Sequence, residues 1–429
     1  MRITGRIQRY ILTFAVAMLG SEFLMAQSVA VKEILNGTQL QLGFGMGVNT
    51  DLGVTNWLSQ GSGQMEMAYP AGQSWGFVNV TVGNPTNPPR PGIDLSAYQT
   101  LVVEVRGDEG STAQTVQIGI KDATQPDTGT ETKVTVPVFA NWTTYTIPLS
   151  AFVGANLSNI YVVTEFVFGG SNPESIWFDK IEFTSAPAPS VAAVANGASF
   201  LPGASPNTWT SIFGQNLSPG TRAWGSSDFI GNQLPTALDG ISVNLNGANM
   251  VVEYISQTQI NTLIPSNVPV GQAYVSVTNA LGTSVPVSLT VQPTFPALFT
   301  FSNGGAEYAA AEHLDGTLVG PPGLFGPGVT LRPAAPGEII EVWGTGFGLT
   351  NPADVPGQLV QTPLPLADLS IVHIEIGNTP ATVGWGGLTE SGLYQFNVTV
   401  PDVPDGDQLI VMDLAGVKTQ PNVFVTVKQ

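Results

Sequence analysis

The sequence predicts an all-β protein of about three domains. Residues 27–185 consist of short segments in which apolar and polar residues alternate, separated by Gly, Pro, Asn and Asp, with no helical periodicity. Residues 191–429 contain an internal repeat whose strands alternate in the same way. The chain of 429 residues has 49 Gly and 33 Pro but only 10% charged residues, which is typical of an extracellular β protein.

Charge and cysteine content exclude several functions. The chain has 13 Lys and Arg, 31 Asp and Glu, two His and no Cys, with a formal net charge of -18. Disulfides, thiolate metal sites and Cys nucleophiles are therefore excluded. An acidic surface repels nucleic acid and anionic membranes, so we expect no nucleic-acid partner and no membrane insertion.

The N-terminal residues 1–26 have the pattern of a secretory signal peptide. Three arginines precede an apolar stretch from Tyr10 to Leu19, and cleavage after Ala26 or Ala30 fits the pattern. A membrane anchor is disfavoured because this stretch is shorter than the roughly 20 residues that cross a bilayer, and the charged Glu22 prevents its extension. We therefore expect a protein that is secreted, or held at the cell surface, after cleavage.

A Pro/Ala linker at residues 186–190 separates residues 27–185 from the repeated region. The repeat divides that region into two β-sandwich domains, residues 191–292 and 293–429. Three blocks return in the second copy: Pro206–Leu217 as Pro336–Phe347, Gln259–Pro265 as Gln395–Pro401, and Val287–Val291 as Val423–Val427. The copies differ in length only by small loop insertions.

The first repeated block resembles the opening strand of IPT/TIG domains, which have an immunoglobulin-like fold. Asn207 stands where the family pattern has Gly. The whole region 190–429, with its entry segment Asn196-Gly197-Ala198-Ser199-Phe200, resembles a tandem C-terminal region of many secreted soil-bacterial proteins. The resemblance implies two immunoglobulin-like sandwiches with an accessory or adhesive role and no known catalytic residues.

Three segments of the first domain, residues 95–107, 142–152 and 176–183, resemble the galactose-binding-like jelly rolls, especially carbohydrate-binding modules of the family-eleven type. The resemblance covers residues 27–185 and implies a jelly-roll sandwich. Such jelly rolls also occur as purely structural modules, so the fold alone leaves the ligand open.

Strand parity indicates which side chains of this domain point away from the core. In three segments the apolar residues share one face, and the opposite faces then present an aromatic pair together with amide and charged side chains. An aromatic ring can stack on a pyranose, while amide and guanidinium groups bond adjacent hydroxyls. Alternatively, the aromatic rings pack under a loop or against the other sheet, and the charges are merely solvated. The candidate glycan-binding residues are Trp75, Phe77, Asn79, Glu104, Arg106 and Gln117.

Catalytic motifs are absent from the sequence. Neither His313 nor His373 lies in a metal-ligand spacing, and no G-x-S-x-G segment is present. A pair of acids in a glycosidase cleft is not excluded by counting, but no segment looks like a hydrolase core. We therefore predict that the protein is not an enzyme.

Calcium is the one metal that the sequence favours, and no cofactor is predicted with certainty. Residues 402–407 place three carboxylates in one turn, which could hold Ca²⁺ or could be a solvated turn between strands. The jelly-roll resemblance implies that Asp179 occupies a position of a structural Asp, in some relatives at a calcium site. Asp179 is thus the candidate ligand of a structural Ca²⁺.

Together, these features favour a secreted, non-catalytic protein whose jelly roll binds a polysaccharide or cell-surface glycan and whose two repeats act as spacer or adhesion units. The alternative is a structural or adhesive protein with no glycan site, which binds another extracellular protein through strand addition at its sheet edges. A solvent-exposed Trp75 would favour the glycan-binding hypothesis.

Overall fold

A computed structural model describes residues 29–84, 90–108, 114–124, 128–325 and 329–429. These residues form β-strands and three short 3-10 helices, Leu149–Ala151, Ser226–Asp228 and Leu369–Ile371. The predicted signal peptide, residues 1–26, lies outside the described residues. No helix within the described ranges has the length and hydropathy needed to cross a membrane. The prediction of an all-β chain is confirmed.

The first domain is a jelly roll of two sheets. Its strands are β1 (Val31–Asn36), β2 (Gln39–Leu40), β3 (Phe44–Thr50), β4 (Leu58–Gly61), β5 (Gln64–Tyr69), β6 (Trp75–Val82), β7 (Thr100–Gly107), β8 (Gln114–Asp122), β9 (Glu131–Val138), β10 (Thr143–Pro148), β11 (Ile160–Gly169) and β12 (Glu174–Thr184). The front sheet has the order β3-β6-β11-β8-β9. The back sheet runs β10-β7-β12, and β12 also pairs with β1 and β5 along its two halves.

Alternation of apolar and polar residues explains how the two sheets pack. Val78 of β6 and Ile118 of β8 point inward from the front sheet, and Val103 and Val105 of β7 point inward from the back sheet. All four are fully buried in one core. The residues between them along each strand face outward, as period-two side chains must. The core therefore leaves two outer faces on opposite sides of the sandwich.

The second and third domains are β-sandwiches with matching strand pairing. The second contains β13 (Ser190–Asn196), β14 (Trp209–Gln215), β15 (Arg222–Ala223), β16 (Ala237–Leu238), β17 (Ile241–Leu245), β18 (Ala248–Asn249), β19 (Val251–Ile255), β20 (Gln259–Leu263), β21 (Gly271–Asn279), β22 (Gly282–Thr283) and β23 (Val287–Val291). The third contains β24 (Ala297–Leu298), β25 (Thr300–Asn303), β26 (Ala306–Ala309), β27 (Ala311–His313), β28 (Leu318–Val319), β29 (Leu331–Arg332), β30 (Ile339–Thr345), β31 (Leu364–Pro365), β32 (Val372–Ile376), β33 (Thr379–Glu390), β34 (Leu393–Thr399), β35 (Gly406–Leu414), β36 (Val417–Lys418) and β37 (Val423–Val427).

The repeated blocks of sequence form equivalent strands in the two sandwiches. The pair β14–β20 of the second domain corresponds to β30–β34 of the third, and the series β17-β21-β23 corresponds to β32-β35-β37. Each copy has its own apolar core, one built from residues 194–291 and the other from residues 298–427. The internal repeat is therefore a repeat of topology as well as of sequence.

Both domain junctions are bonded directly. Between the second and third domains, the buried Trp209 indole donates to the Ser391 carbonyl at 3.0 Å, and the Trp209 amide donates to Thr345 Oγ1 at 2.9 Å. Between the jelly roll and the second domain, β10 pairs in parallel with β22, and Thr146 Oγ1 donates to the Thr283 carbonyl at 2.9 Å. The back sheet of the jelly roll therefore continues into a sheet of the second domain.

Candidate functional site

An aromatic pair stands on the outer face of the front sheet, the front face. Trp75 and Phe77 alternate with core residues along β6, so both point outward. Their rings are nearly parallel, with an angle of 4° and a centroid distance of 6.1 Å. Gly76 between them faces the core, where a Cβ atom would lie only 2.7 Å from the Tyr69 ring. Trp75 is 45% exposed, so one side of this aromatic pair remains open to solvent.

A row of polar residues crosses the front face beside the aromatic pair. Asn79 on β6 lies opposite Glu165 on β11, Glu165 lies opposite Gly119 on β8, and Gly119 lies opposite Lys133 on β9. A Cβ atom at position 119 would lie 2.5 Å from Glu165 Oε1 and 2.9 Å from Lys133 Cγ. Because Gly119 has no side chain, the Glu165 carboxylate can occupy the space beside it on the sheet.

The polar row contains two oxygen atoms that accept no hydrogen bond from the described residues. Asn79 Oδ1 and Glu165 Oε1 are buried and accept no hydrogen bond within the described part of the chain. Buried acceptors usually have a partner, because leaving one unbonded is unfavourable. These two atoms therefore are candidates for bonding hydroxyl groups of a ligand.

Burial dominates the electrostatics of this row. The Glu165 side chain is 7% exposed, and burial together with repulsion from the Glu131 carboxylate raises the pKa of Glu165 to about 7. The Lys133 ammonium lies 3.8 Å from Glu165 and also pairs with Glu131, which Lys121 approaches within 3.9 Å. Two acids and two lysines thus lie close together on the face, and protonation of Glu165 removes one of the two negative charges.

Gln117 is the fourth of the predicted residues that lies on this face. It is exposed on β8 and lies in the same cross-strand row as Phe77, with Val167 of β11 between them. Adjacent strands are about 4.8 Å apart, so Gln117 is roughly 10 Å from Phe77 across the sheet. Four of the six candidate residues, Trp75, Phe77, Asn79 and Gln117, therefore share the front face, and their role in binding stays a prediction.

Glu104 and Arg106 are not part of this face. Both lie on β7 in the back sheet, on the opposite side of the sandwich. The Arg106 guanidinium stacks over Trp177 at 4.2 Å and over Trp142 at 5.4 Å, while Glu104 accepts a hydrogen bond from Thr144 Oγ1 at 3.2 Å. The structure therefore does not bring these two residues together with the other four.

Asp179 lies beside Glu104 on the back sheet. Burial, followed by the neighbouring Glu104 charge, raises the pKa of Asp179 to about 6, and Asp179 Oδ1 accepts no hydrogen bond from the described residues. Ca²⁺ takes roughly six to eight oxygen ligands. Nowhere in the described ranges do three or more His, Cys, Asp or Glu side chains gather around a common point. Asp179 and Glu104 alone do not make a calcium site, and metal binding stays a prediction.

Carboxylates of the acidic turn at residues 402–407 accept hydrogen bonds from other residues of the protein. Asp407 accepts hydrogen bonds from Thr426 Oγ1 at 2.7 Å and from the Tyr308 hydroxyl at 2.9 Å. Asp405 accepts from the Gln429 amide at 2.9 Å. The turn therefore ties the end of the chain to the third domain.

The two histidines differ in environment: His313 is buried and hydrogen-bonded, and His373 lies on the surface. His313 is buried, with Nδ1 at 2.8 Å from Glu338 and Nε2 at 3.1 Å from the Arg332 carbonyl. His373 is exposed on β32. His313 therefore joins neighbouring segments of the third domain, and His373 points to solvent.

Sequence reasoning missed Glu165 and Lys133. Glu165 lies in an apolar stretch, and a bulge in β11 between Val162 and Thr164 changes which side chains face inward. Tyr161 and Val162 are both buried although they are adjacent, so simple alternation fails there. The one available signal was the charge itself, a single acid inside an otherwise apolar strand.

Residues 36–185 match the family model described as carbohydrate binding domain 30. Among solved structures, the region is similar to a family 11 carbohydrate-binding module from Clostridium thermocellum in complex with a β-1,3-1,4-mixed-linked tetrasaccharide, with 18% identity, 38% of this chain and 99% of that chain covered, and a TM-score of 0.28.

Two further structures show the same range of similarity. A family 30 module has 16% identity, 38% and 91% coverage and a TM-score of 0.29, and a family 29 module complexed with mannohexaose has 13% identity, 38% and 95% coverage and a TM-score of 0.27. A search of the curated proteins found no match to this chain.

Proposed function

We propose that the protein is a secreted, non-catalytic carbohydrate-binding protein whose front face binds a neutral polysaccharide. The observation that carries this proposal is the exposed Trp75, stacked on Phe77 beside two buried oxygen atoms that accept no hydrogen bond from the described residues. An open aromatic surface next to fixed acceptors suits a pyranose, which offers an apolar face and peripheral hydroxyls. The match of residues 36–185 to a carbohydrate-binding family supports the same function.

The charges of the front face favour a neutral ligand. Glu165 and Glu131 lie among Lys133 and Lys121, so the polar row carries at most about one net positive charge even when Glu165 is protonated, which is a weak attraction for a polyuronate. The chain as a whole carries a net charge of -18, which further disfavours acidic polymers. Neutral glucans, xylans and mannans are therefore the expected ligand class.

The second and third domains act as an IPT/TIG-like spacer or adhesion unit in this proposal. Their junction, with the buried Trp209 bonded across it to Ser391, supports a fixed spatial relation between the two sandwiches. A rigid spacer would hold the carbohydrate-binding face at a set distance from a cell surface or from a neighbouring protein. The predicted signal peptide, residues 1–26, supports a location outside the cell.

The size of the Trp75 contribution is set by its exposure. With 45% of roughly 250 Å² exposed, the indole offers about 110 Å² to a ligand. A stacked pyranose would cover about half of that area, which at about 25 cal/mol per Å² stabilises the complex by about 1.4 kcal/mol. The variant Trp75→Ala should therefore bind about tenfold more weakly.

Affinity electrophoresis of the full chain tests the proposal. The gels contain β-glucan, xylan, mannan or pectin, and each is run with calcium and with a chelator, so that a structural Ca²⁺ would also be detected. We expect retardation by at least one neutral polymer and none by pectin, with the retardation lost in Trp75→Ala.

Phe200→Ala is the matched control, because Phe200 is an aromatic residue of the second domain with a similar exposure, 52%. Its retardation should equal that of the wild-type chain. An equal loss of retardation in both variants, or no retardation of the wild-type chain by any polymer, would contradict glycan binding at the front face. The search would then turn to protein partners.

A further inference from the structure

A second polar groove lies between the jelly roll and the second domain. It has a volume of about 860 Å³ and is formed on one side by the back sheet with the start of β10, and on the other by the β17–β18 hairpin and β21. This groove, the interdomain groove, is on the side of the sandwich opposite the front face. Its volume is in the range of clefts that hold small ligands, about 300–1,000 Å³.

An indole held in a fixed orientation lines the jelly-roll side of the interdomain groove. Trp142 lines the groove, and the Arg106 guanidinium lies 5.4 Å from its ring centroid. Arg106 also stacks on Trp177 at 4.2 Å, so two rings share one cation. This stacking positions the Trp142 ring before any ligand arrives, which lowers the ordering cost of binding.

Amide side chains line the groove on both sides. Asn244 and Asn249 lie directly opposite each other across the β17–β18 hairpin, and Asn141 precedes β10 on the jelly-roll side. Asn141 and Asn249 are exposed, and within the described part of the chain their side chains take no part in a hydrogen bond. Asn244 Oδ1 accepts from the Gly247 amide, which leaves the Asn244 NH₂ group available to donate to a ligand.

The charged groups of the groove cancel. Lys180 Nζ and Glu182 Oε1 are paired at 2.9 Å, and both residues line the groove. The groove therefore has no net charge with which to select an ionic ligand. An indole flanked by amides and a neutralised ion pair suits the same chemistry as the front face, that of a neutral sugar.

The two walls are held together by backbone pairing. Strands β10 and β22 pair in parallel beside the groove, Thr146 bonds the Thr283 carbonyl, and the Phe139 ring lies 3.3 Å from the position of a Cβ atom on Gly247. We propose that the interdomain groove is a second carbohydrate site, which binds a short neutral oligosaccharide between Trp142 and the Asn244–Asn249 amides. It is separate from the front face and needs the second domain to be complete.

Titration calorimetry of the full-length Trp75→Ala chain with cellotetraose, xylotetraose and mannotetraose tests this site separately from the front face. We expect one of these oligosaccharides to bind the Trp75→Ala chain with a stoichiometry of one. Adding Asn249→Ala should weaken that binding about fivefold, the loss expected for one hydrogen bond of about 1 kcal/mol. Adding Asn232→Ala instead, at an exposed Asn away from the groove, should leave it unchanged.

The outcomes separate the two sites. No binding of any of the three oligosaccharides to the Trp75→Ala chain, while the wild-type chain binds, overturns the groove proposal and leaves the front face intact. Binding to the Trp75→Ala chain that Asn249→Ala and Trp142→Phe both leave unchanged also overturns it. Wild-type affinity in Trp75→Ala that falls about fivefold on adding Asn249→Ala supports the groove and overturns the front face.

Discussion

Replacing Glu165 with Gln should make the stability of the jelly roll less dependent on pH. Burial and the nearby Glu131 raise the pKa of Glu165 from 4.5 to about 7. Between these values the folded chain keeps a proton on Glu165 that the unfolded chain has lost. Because the folded state binds more protons there, the free energy of unfolding falls as the pH rises from about 4.5 to 7.

The magnitude comes from the same values. A change of pKa from 4.5 to about 7 corresponds to about 3 kcal/mol, since one pKa unit is worth about 1.4 kcal/mol. The Glu165 side chain is only 7% exposed, so solvent screens this effect little. The wild-type chain should therefore lose about 3 kcal/mol more stability between pH 4 and pH 8 than Glu165→Gln does.

Urea unfolding of the full chain at pH 4 and pH 8 measures the difference, with hydrogen exchange of the jelly-roll amides to follow the jelly-roll transition. Glu375→Gln, at an exposed acid on β32 of the third domain, is the control and should lose as much stability as the wild-type chain. If Glu165→Gln and the wild-type chain lost equal stability over this range, the assignment of a proton to the buried carboxyl would be refuted.

Three further predictions concern other parts of the chain. Gly119→Ala places a Cβ atom 2.5 Å from Glu165 Oε1 and 2.9 Å from Lys133 Cγ, so both side chains must shift; calorimetry should show weaker polysaccharide binding, and urea unfolding a stability loss of about 1–3 kcal/mol. Trp209→Ala removes the buried indole bonded to Ser391, so the second and third domains should lose about 3–5 kcal/mol in urea unfolding. Burial raises the pKa of Glu253 to about 7, so Glu253→Gln should flatten the pH dependence of second-domain unfolding between pH 4 and pH 8.

Strand parity predicted which side chains leave the core but could not assign strands to sheets. Alternation correctly placed Val103 and Val105 inside and Glu104 outside on β7. Alternation also correctly placed Trp75 on the outer side of β6. Whether two strands belong to the same sheet depends on how the chain crosses between layers, which alternation within a strand does not encode. The predicted glycan face was therefore divided between two sides of the sandwich.

The polar row was hidden for a different reason. Glu165 follows a bulge in β11, and a bulge shifts the inward and outward positions of every residue after it. The role of Gly119 depends on a side chain from the neighbouring strand, so no local pattern could reveal it. By contrast, the internal repeat predicted equivalent strands in the second and third domains because each copy carries the same local pattern of strand residues.

The interdomain groove lay beyond sequence reasoning because its walls come from two domains. Trp142 and Asn249 are 107 positions apart, and only the pairing of β10 with β22 brings their strands to one groove. Composition did point to such surfaces in general, since only 10% of the residues are charged and amides and hydroxyls must cover much of the exterior.

Calorimetric titration of the wild-type, Trp75→Ala and Phe200→Ala chains with the neutral polymer that retards the protein in gels tests the central claim most directly. Glycan binding at the front face predicts about tenfold weaker binding for Trp75→Ala and unchanged binding for Phe200→Ala, with all three chains folded. Equal affinities for the three chains would contradict a site built on the Trp75–Phe77 pair.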